Sequence, residues 1–135
     1  MTLTELGTWL ILQGVGTALG TDVFTGYLPA SPDVVVCLFE YGSLPVEPAL
    51  GVDGTQIRYE YPRVQILTRG VKLDYAGPWA VNKSARKAML KIQGSTLSGV
   101  YYIAAIPESG PMFLRRDDND RVEIVSNYQV EKAES

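Results

Sequence analysis

The stretch from Val34 to Arg69, VVVCLFEYGSLPVEPALGVDGTQIRYEYPRVQILTR, sets two strand-like patterns on either side of a long run with no clear period. Residues 34–39 are continuously β-branched and aromatic, as in a strand covered on both faces. Residues 63–69 alternate Val64 and Ile66 against Arg63 and Gln65, as in a half-exposed strand. Residues 42–61 between them read as a loop. Loops of that length in a compact domain usually carry function, and this one holds Leu44, Pro45, Val46, Pro48, Leu50, Val52 and Ile57. That much apolar surface calls for a cover. The expectation is an arm that reaches a neighbouring subunit or ring and is poorly ordered in the free monomer. The alternative is a loop folded back over its own sheet edge.

Outward from this centre the chain reads α, β, β, loop, β, α, β, β. Thr2 and Glu5 have capping-box spacing ahead of Leu3, Leu6, Trp9 and Leu10, which predicts a helix over about residues 2–18. GVGTALG after it lacks the spacing and the strand–helix setting of a dinucleotide fingerprint, so it reads as a helix end and turn. Residues 22–28 predict a short strand. PASPD at 29–33 is a turn by its Pro and Asp content, and joins that strand to 34–39 as a hairpin. A second helix is expected within Asp74–Gly94, opening at Gly77-Pro78 and ending at Gly94. Its Val81, Ala85, Ala88, Met89 and Ile92 share one face. Lys83, Lys87 and Lys91, with Arg86 beside them, share the other, read first as solvated, next as a subunit contact and last as a phosphate contact. Strands are expected at 98–106 and 121–130, with a polar turn between them and a frayed tail, VEKAES. Mostly antiparallel pairing of four to five strands with two helices on one face is the economical arrangement, an α+β two-layer domain.

Composition narrows the function. The 135 residues contain no histidine, and Cys37 is the only cysteine, placed in an apolar run where a buried, inert thiol is expected. Ser-His-Asp and Cys-His pairs, His-ligated zinc, four-cysteine sites and intrachain disulfides are thereby removed. Asp117, Asp118 and Asp120 resemble a fragment of a calcium loop but lack its glycine and its distant glutamate. They read as a hairpin tip, with a weak divalent site or a carboxylate-dependent hydrolase as minority readings. The reading is therefore a non-enzyme with no cofactor and no metal. A net charge of −3 gives no general reason to bind nucleic acid, so any DNA contact would be local. A monomeric module binding single strands is a further, disfavoured reading. No apolar run is long enough for a membrane span, which predicts a soluble protein, cytoplasmic when made, with no membrane partner.

GTDVFTGYLPASPDVVVCLFEYG at 20–42, YEYPRVQIL at 59–67, DYAGPWA at 74–80 and VEIVSNYQV at 122–130 together resemble the small minor capsid or tail-terminator-like proteins of long-tailed bacteriophages. Gly42-Ser43-Leu44-Pro45, where that family has paired glycines before proline, and Gly77-Pro78 at the helix start depart from its pattern. The resemblance implies a tail-terminator-like fold over the single domain 1–135. It also implies a virion protein at the head–tail junction, assembled in the host cytoplasm as a homo-oligomeric ring, usually a hexamer. Such a ring caps the tail tube protein, meets the head-completion or connector protein, and lets DNA through its lumen without specific binding. A head-completion or neck protein is the nearest alternative. Arg115, Arg116, Asp117, Asp118 and Asp120 are the candidate charged loop facing an adjoining ring.

Overall fold

The computed structural model describes residues 1–48 and 58–133, with only the backbone described at 43–48 and 58. Its elements are α1 (Thr2–Leu12), β1 (Val23–Thr25), β2 (Val35–Pro48), β3 (Arg58–Lys72), α2 (Ala76–Leu90), β4 (Gln93–Leu97), β5 (Val100–Arg116) and β6 (Arg121–Ala133). The class is the expected α+β, but the sheet has six strands in the order β1-β2-β3-β6-β5-β4. It is also mixed. β1 lies parallel to β2, with Val23 opposite Val36, so the expected hairpin does not form. The connecting residues instead cross the sheet, because Arg69 on β3 donates to the carbonyls of Pro29, Pro32 and Asp33 at 2.7–3.0 Å. Arg121 on β6 adds a bond to the Ala30 carbonyl at 2.7 Å. Two guanidiniums thus satisfy a loop that has little backbone pairing of its own.

Period-two alternation gives the sheet two different faces. On one, Val36, Leu38, Val64, Ile66, Tyr102, Ala105, Tyr128 and Val130 meet Leu3, Leu6 and Leu10 of α1 and Ala85, Ala88 and Met89 of α2. Both helices therefore share that face, as expected. Full burial of a leucine such as Leu6 or Leu10 is worth about 2 kcal/mol. The opposite face is smaller, built from Phe24, Val35, Cys37, Leu67 and Val125 under the crossing loop. Cys37 is buried there, and burial pushes its thiol up to about 12.

The helices are shorter than their apolar periodicity suggested. α1 stops at Leu12, and Gly14 follows at φ +85°, a conformation that costs glycine little. Asp22 closes the turn behind it by accepting the N–H groups of Thr17 and Ala18 at 3.0 Å. The start of α2 is fixed by Asp74, whose Oδ1 accepts the Gly77 N–H at 3.1 Å. A Cβ at Gly77 would overlap that same carboxylate, which is why glycine stands there. Gly94 is not a helix end. It lies at φ +60° inside β4, a strand that its polar sequence QGSTL did not announce.

Three side chains lock the layers together. Asn82 Nδ2 reaches the Ile66 carbonyl (3.3 Å), Thr68 Oγ1 (3.2 Å) and the Ile124 carbonyl (3.0 Å), tying α2 to two strands. Thr68 Oγ1 donates to the Pro78 carbonyl at 2.7 Å, and Trp9 Nε1 to the Ala88 carbonyl at 2.9 Å. Replacing buried Asn82 by leucine should cost about 2 kcal/mol, the usual loss when buried acceptors are stranded. A urea midpoint unchanged from wild type would refute this role.

The capping box and the frayed tail are both overturned by one buried cluster. The Thr2–Glu5 box does not form, because the N-cap is Met1, which makes no side-chain cap bond, and Glu5 gives only its Oε2 to the Met1 ammonium at 3.3 Å. Its Oε1 instead accepts from Tyr102 OH at 2.6 Å and from Lys132 Nζ at 2.8 Å, and Lys132 also donates to Thr2 Oγ1 at 2.9 Å. Lys132 is fully buried, so residues 131–133 are part of the sheet rather than a loose end. Burial works to raise the Glu5 carboxyl, but the Lys132 and Tyr102 hydrogen bonds and the Lys132 charge outweigh it and hold it below the usual value. A depressed carboxyl stabilises the fold above its unfolded pKa, and that contribution is lost as pH falls through the folded one. Acid should therefore destabilise the wild type more steeply below about pH 4.5 than it does Glu5→Gln, by equilibrium denaturation across pH. Truncation after Val130 removes the buried Lys132 and leaves Glu5 only the exposed Met1 ammonium, 3.3 Å from its Oε2, and should cost about 3 kcal/mol at neutral pH. A truncated chain as stable as the full one would refute the pairing.

Candidate interaction surfaces

Where it is described, the long loop is strand. β2 continues to Pro48 and β3 begins at Arg58, with Ser43 opposite Pro62, Leu44 opposite Tyr61, and Glu47 and Pro48 opposite Tyr59 and Arg58. Register shifts between Glu40 and Ser43 and again between Leu44 and Glu47 broke the alternation that would have revealed it. Leu44, Pro45, Val46 and Pro48 thus belong to a two-stranded arm, while Leu50, Val52 and Ile57 lie outside the described residues.

At the 117–120 turn the expected charged residues separate into two groups. Asp117 Oδ1 accepts the N–H groups of Asn119 and Arg121, both at 2.9 Å, and Oδ2 takes Arg121 Nε at 2.7 Å. Burial raises its carboxyl and these bonds more than offset that, holding it low. Asp117 is therefore a brace for the turn. Arg115 donates to the fully buried Glu123 at 3.0 Å across the β5–β6 ladder. Arg115 is exposed, as are Arg116, Asp118 and Asp120 at the tip. Among the described residues no group of His, Cys, Asp and Glu is placed to hold a metal ion. No described helix is long and apolar enough to cross a membrane.

Strand register places these two features at opposite ends of the molecule. The arm is level with Ala133 of β6, whereas Val35, Arg69, Glu123 and Arg115 line up beside the tip. Near the tip an aromatic group that sequence reading missed is assembled from distant segments. Tyr75 stacks on Trp79 with ring centroids 5.9 Å apart and on Phe113 at 6.1 Å. Tyr75, Phe113, Leu73, Val71 and Leu114 are all exposed. Leu73 adopts φ +63° and donates its N–H to the Asp120 carbonyl at 2.9 Å, joining the β3–α2 turn to the tip. A non-glycine residue held there is a local strain that the surrounding structure must sustain.

The sheet also has two incomplete edges. β1 covers β2 only at Val36–Leu38, and β4 covers β5 only from Val100 to Ala104. Among the described residues, the outer edge of β2 beyond Leu38 and that of β5 beyond Ala104 have no strand neighbour. Beside the β5 edge, Lys83, Arg86, Lys87 and Leu90 of α2 and Pro111 of β5 line a groove of about 290 Å³. Lys83 and Lys87 of the expected lysine stripe are exposed there, while Lys91 turns to Gln13 Oε1 at 3.3 Å.

A family model described as bacteriophage tail terminator protein matches residues 10–134. No curated protein matches by sequence. Among solved structures, a chain of the virion of a native gene transfer agent particle is similar at a TM-score of 0.51 and 16% identity. The match covers 98% of this chain and 94% of that one, and the two share a fold. The chain belongs to the bacteriophage tail terminator protein family and is a structural protein of the virion.

Proposed function

We propose that this chain ends growth of the tail tube by closing into a ring of about six subunits, the size that the family resemblance implies. Membership of the terminator family over residues 10–134 carries the reading. The two unlike ends of the molecule supply the physical means. Termination is a problem of specificity, in which one face must match the tube and the other must refuse a further tube subunit. A ring of subunits oriented alike gathers all the arms on one face and all the 116–120 tips, with Tyr75 and Phe113, on the other. The two faces then offer different chemistry, and the second is free to meet the head-completion or connector protein. The tip's exposed Arg116, Asp118 and Asp120 are the contacts assigned to that adjoining ring, and residues 42–61 those assigned to the neighbouring subunit or ring. DNA passes through the lumen without specific binding. The site of action is the head–tail junction, after assembly in the host cytoplasm.

A ring needs a head-to-tail interface that closes. Light scattering over a wide concentration range should therefore find a discrete species of about six 14.8 kDa chains, and not an open series. Added to polymerising tube subunits, the protein should fix mean tube length. Tubes that lengthen unchecked, with the protein labelled at the head side of the neck in intact virions, would replace this reading with that of a head-completion protein. Deleting residues 46–56 should abolish ring assembly or its docking on the tube, and a deletion variant that assembles and docks unchanged would refute the arm's role.

A further inference from the structure

The open edge of β5, from Ala105 to Arg116, is a row of backbone donors and acceptors with no partner among the described residues. Ile106, Met112, Phe113 and Leu114 are exposed along it. Such an edge is a template for another strand unless it is blunted. Pro107 and Pro111 each withhold a donor, so it cannot take any strand in any register, and the interruption itself selects a partner. The wall above it is cationic. Lys83, Arg86 and Lys87 line the groove between α2 and Pro111, and none of the three forms an ion pair among the described residues.

The same chain carries a complementary edge. β2 is open from Phe39 onward, and Glu40 there is exposed. Glu40 stands opposite Val64, a residue of the helix-covered face, so its side chain leaves the sheet on the side where α2 lies. Pairing alternates antiparallel from β2 through β3, β6 and β5, so β2 and β5 run in opposite directions. A second copy in the same orientation, set beside β5, therefore presents its β2 antiparallel to it, the geometry in which edge strands join readily.

We propose that the outer edge of β2 in one copy adds to β5 of the next between Ala105 and Arg116, with Glu40 seated in the groove of Lys83, Arg86 and Lys87. The occupant is a second copy of this chain, joined by main-chain pairing with side-chain charge setting its register. The proposal rests on the ring reading and names the surfaces that would close it.

Charge exchange tests it apart from that reading. Lys83→Glu with Lys87→Glu should raise the concentration at half assembly about tenfold or more, and adding Glu40→Lys in the same chain should restore it. All three positions are exposed, so thermal melting should find the monomer fold intact. If the wild type assembles and the Lys83→Glu, Lys87→Glu variant assembles equally well, the interface is wrong while the ring stands. Weakening that Glu40→Lys fails to rescue also overturns the pairing, because the effect is then one of general charge. A wild type that stays monomeric at every concentration and on purified tubes removes both.

Discussion

Everything on the helix-covered face takes its position from one carboxamide. Asn82 reaches the Ile66 and Ile124 carbonyls and the Thr68 hydroxyl at once, so α2 can neither slide along β3 and β6 nor roll on its axis without stranding buried acceptors. That choice of rotation decides the rest. With Asn82, Ala85 and Met89 turned inward, Lys83 and Lys87 must face solvent beside β5. Tyr75 is brought against Phe113 at the helix start, and the Ala88 carbonyl is left where Trp9 can reach it from α1. An apolar residue at 82 would bury as much surface but would specify none of this, which is the advantage of a polar group whose donors are met.

Much of this was legible in the sequence and some of it was not, for physical reasons that differ by residue. The run at 34–39 is continuously apolar because both faces of β2 are covered there, Arg63 and Gln65 alternate with Val64 and Ile66 because they are only half-buried, and the α2 face showed because Ala85, Ala88 and Met89 pack on the sheet. Bulges hid the rest. The register shifts in β2, and those in β5 around Ser109, break the two-residue period, and Gly110 and Pro111 within a strand look like a turn when no partner is visible. Lys132 was readable in principle, since it continues the inward parity of Tyr128 and Val130. A lysine in a terminal segment reads as solvent-facing until Glu5 is placed beneath it. The parallel β1–β2 pair was beyond reach, because it depends on Arg69, more than thirty residues away, holding the connecting carbonyls.

The candidate surfaces follow the same division. The 117–120 cluster was visible as a charge run, but only geometry separates Asp117, which braces the turn, from Asp118 and Asp120, which do not. Tyr75 and Trp79 are a local pair four residues apart, but Phe113 joins them only across the α2–β5 contact, which no spacing announces. Spacing can announce an interaction surface that lies on one helix. One made where two segments meet is announced by neither.

The two incomplete edges are open at different heights. β2 is free toward the arm and β5 toward the acidic tip, so copies joined by the proposed pairing would be offset along the strand direction at each step. A file of such copies returns on itself only if its strands lean against the ring axis, as the staves of any closed sheet must. Leaning staves convert a pull along the axis into sliding along the ladders, where every bond in a ladder shares the strain at once. Upright strands pulled sideways would unzip, each hydrogen bond failing in turn. In the proposed ring, the offset edges would thus resist a pull along the axis better than one across it.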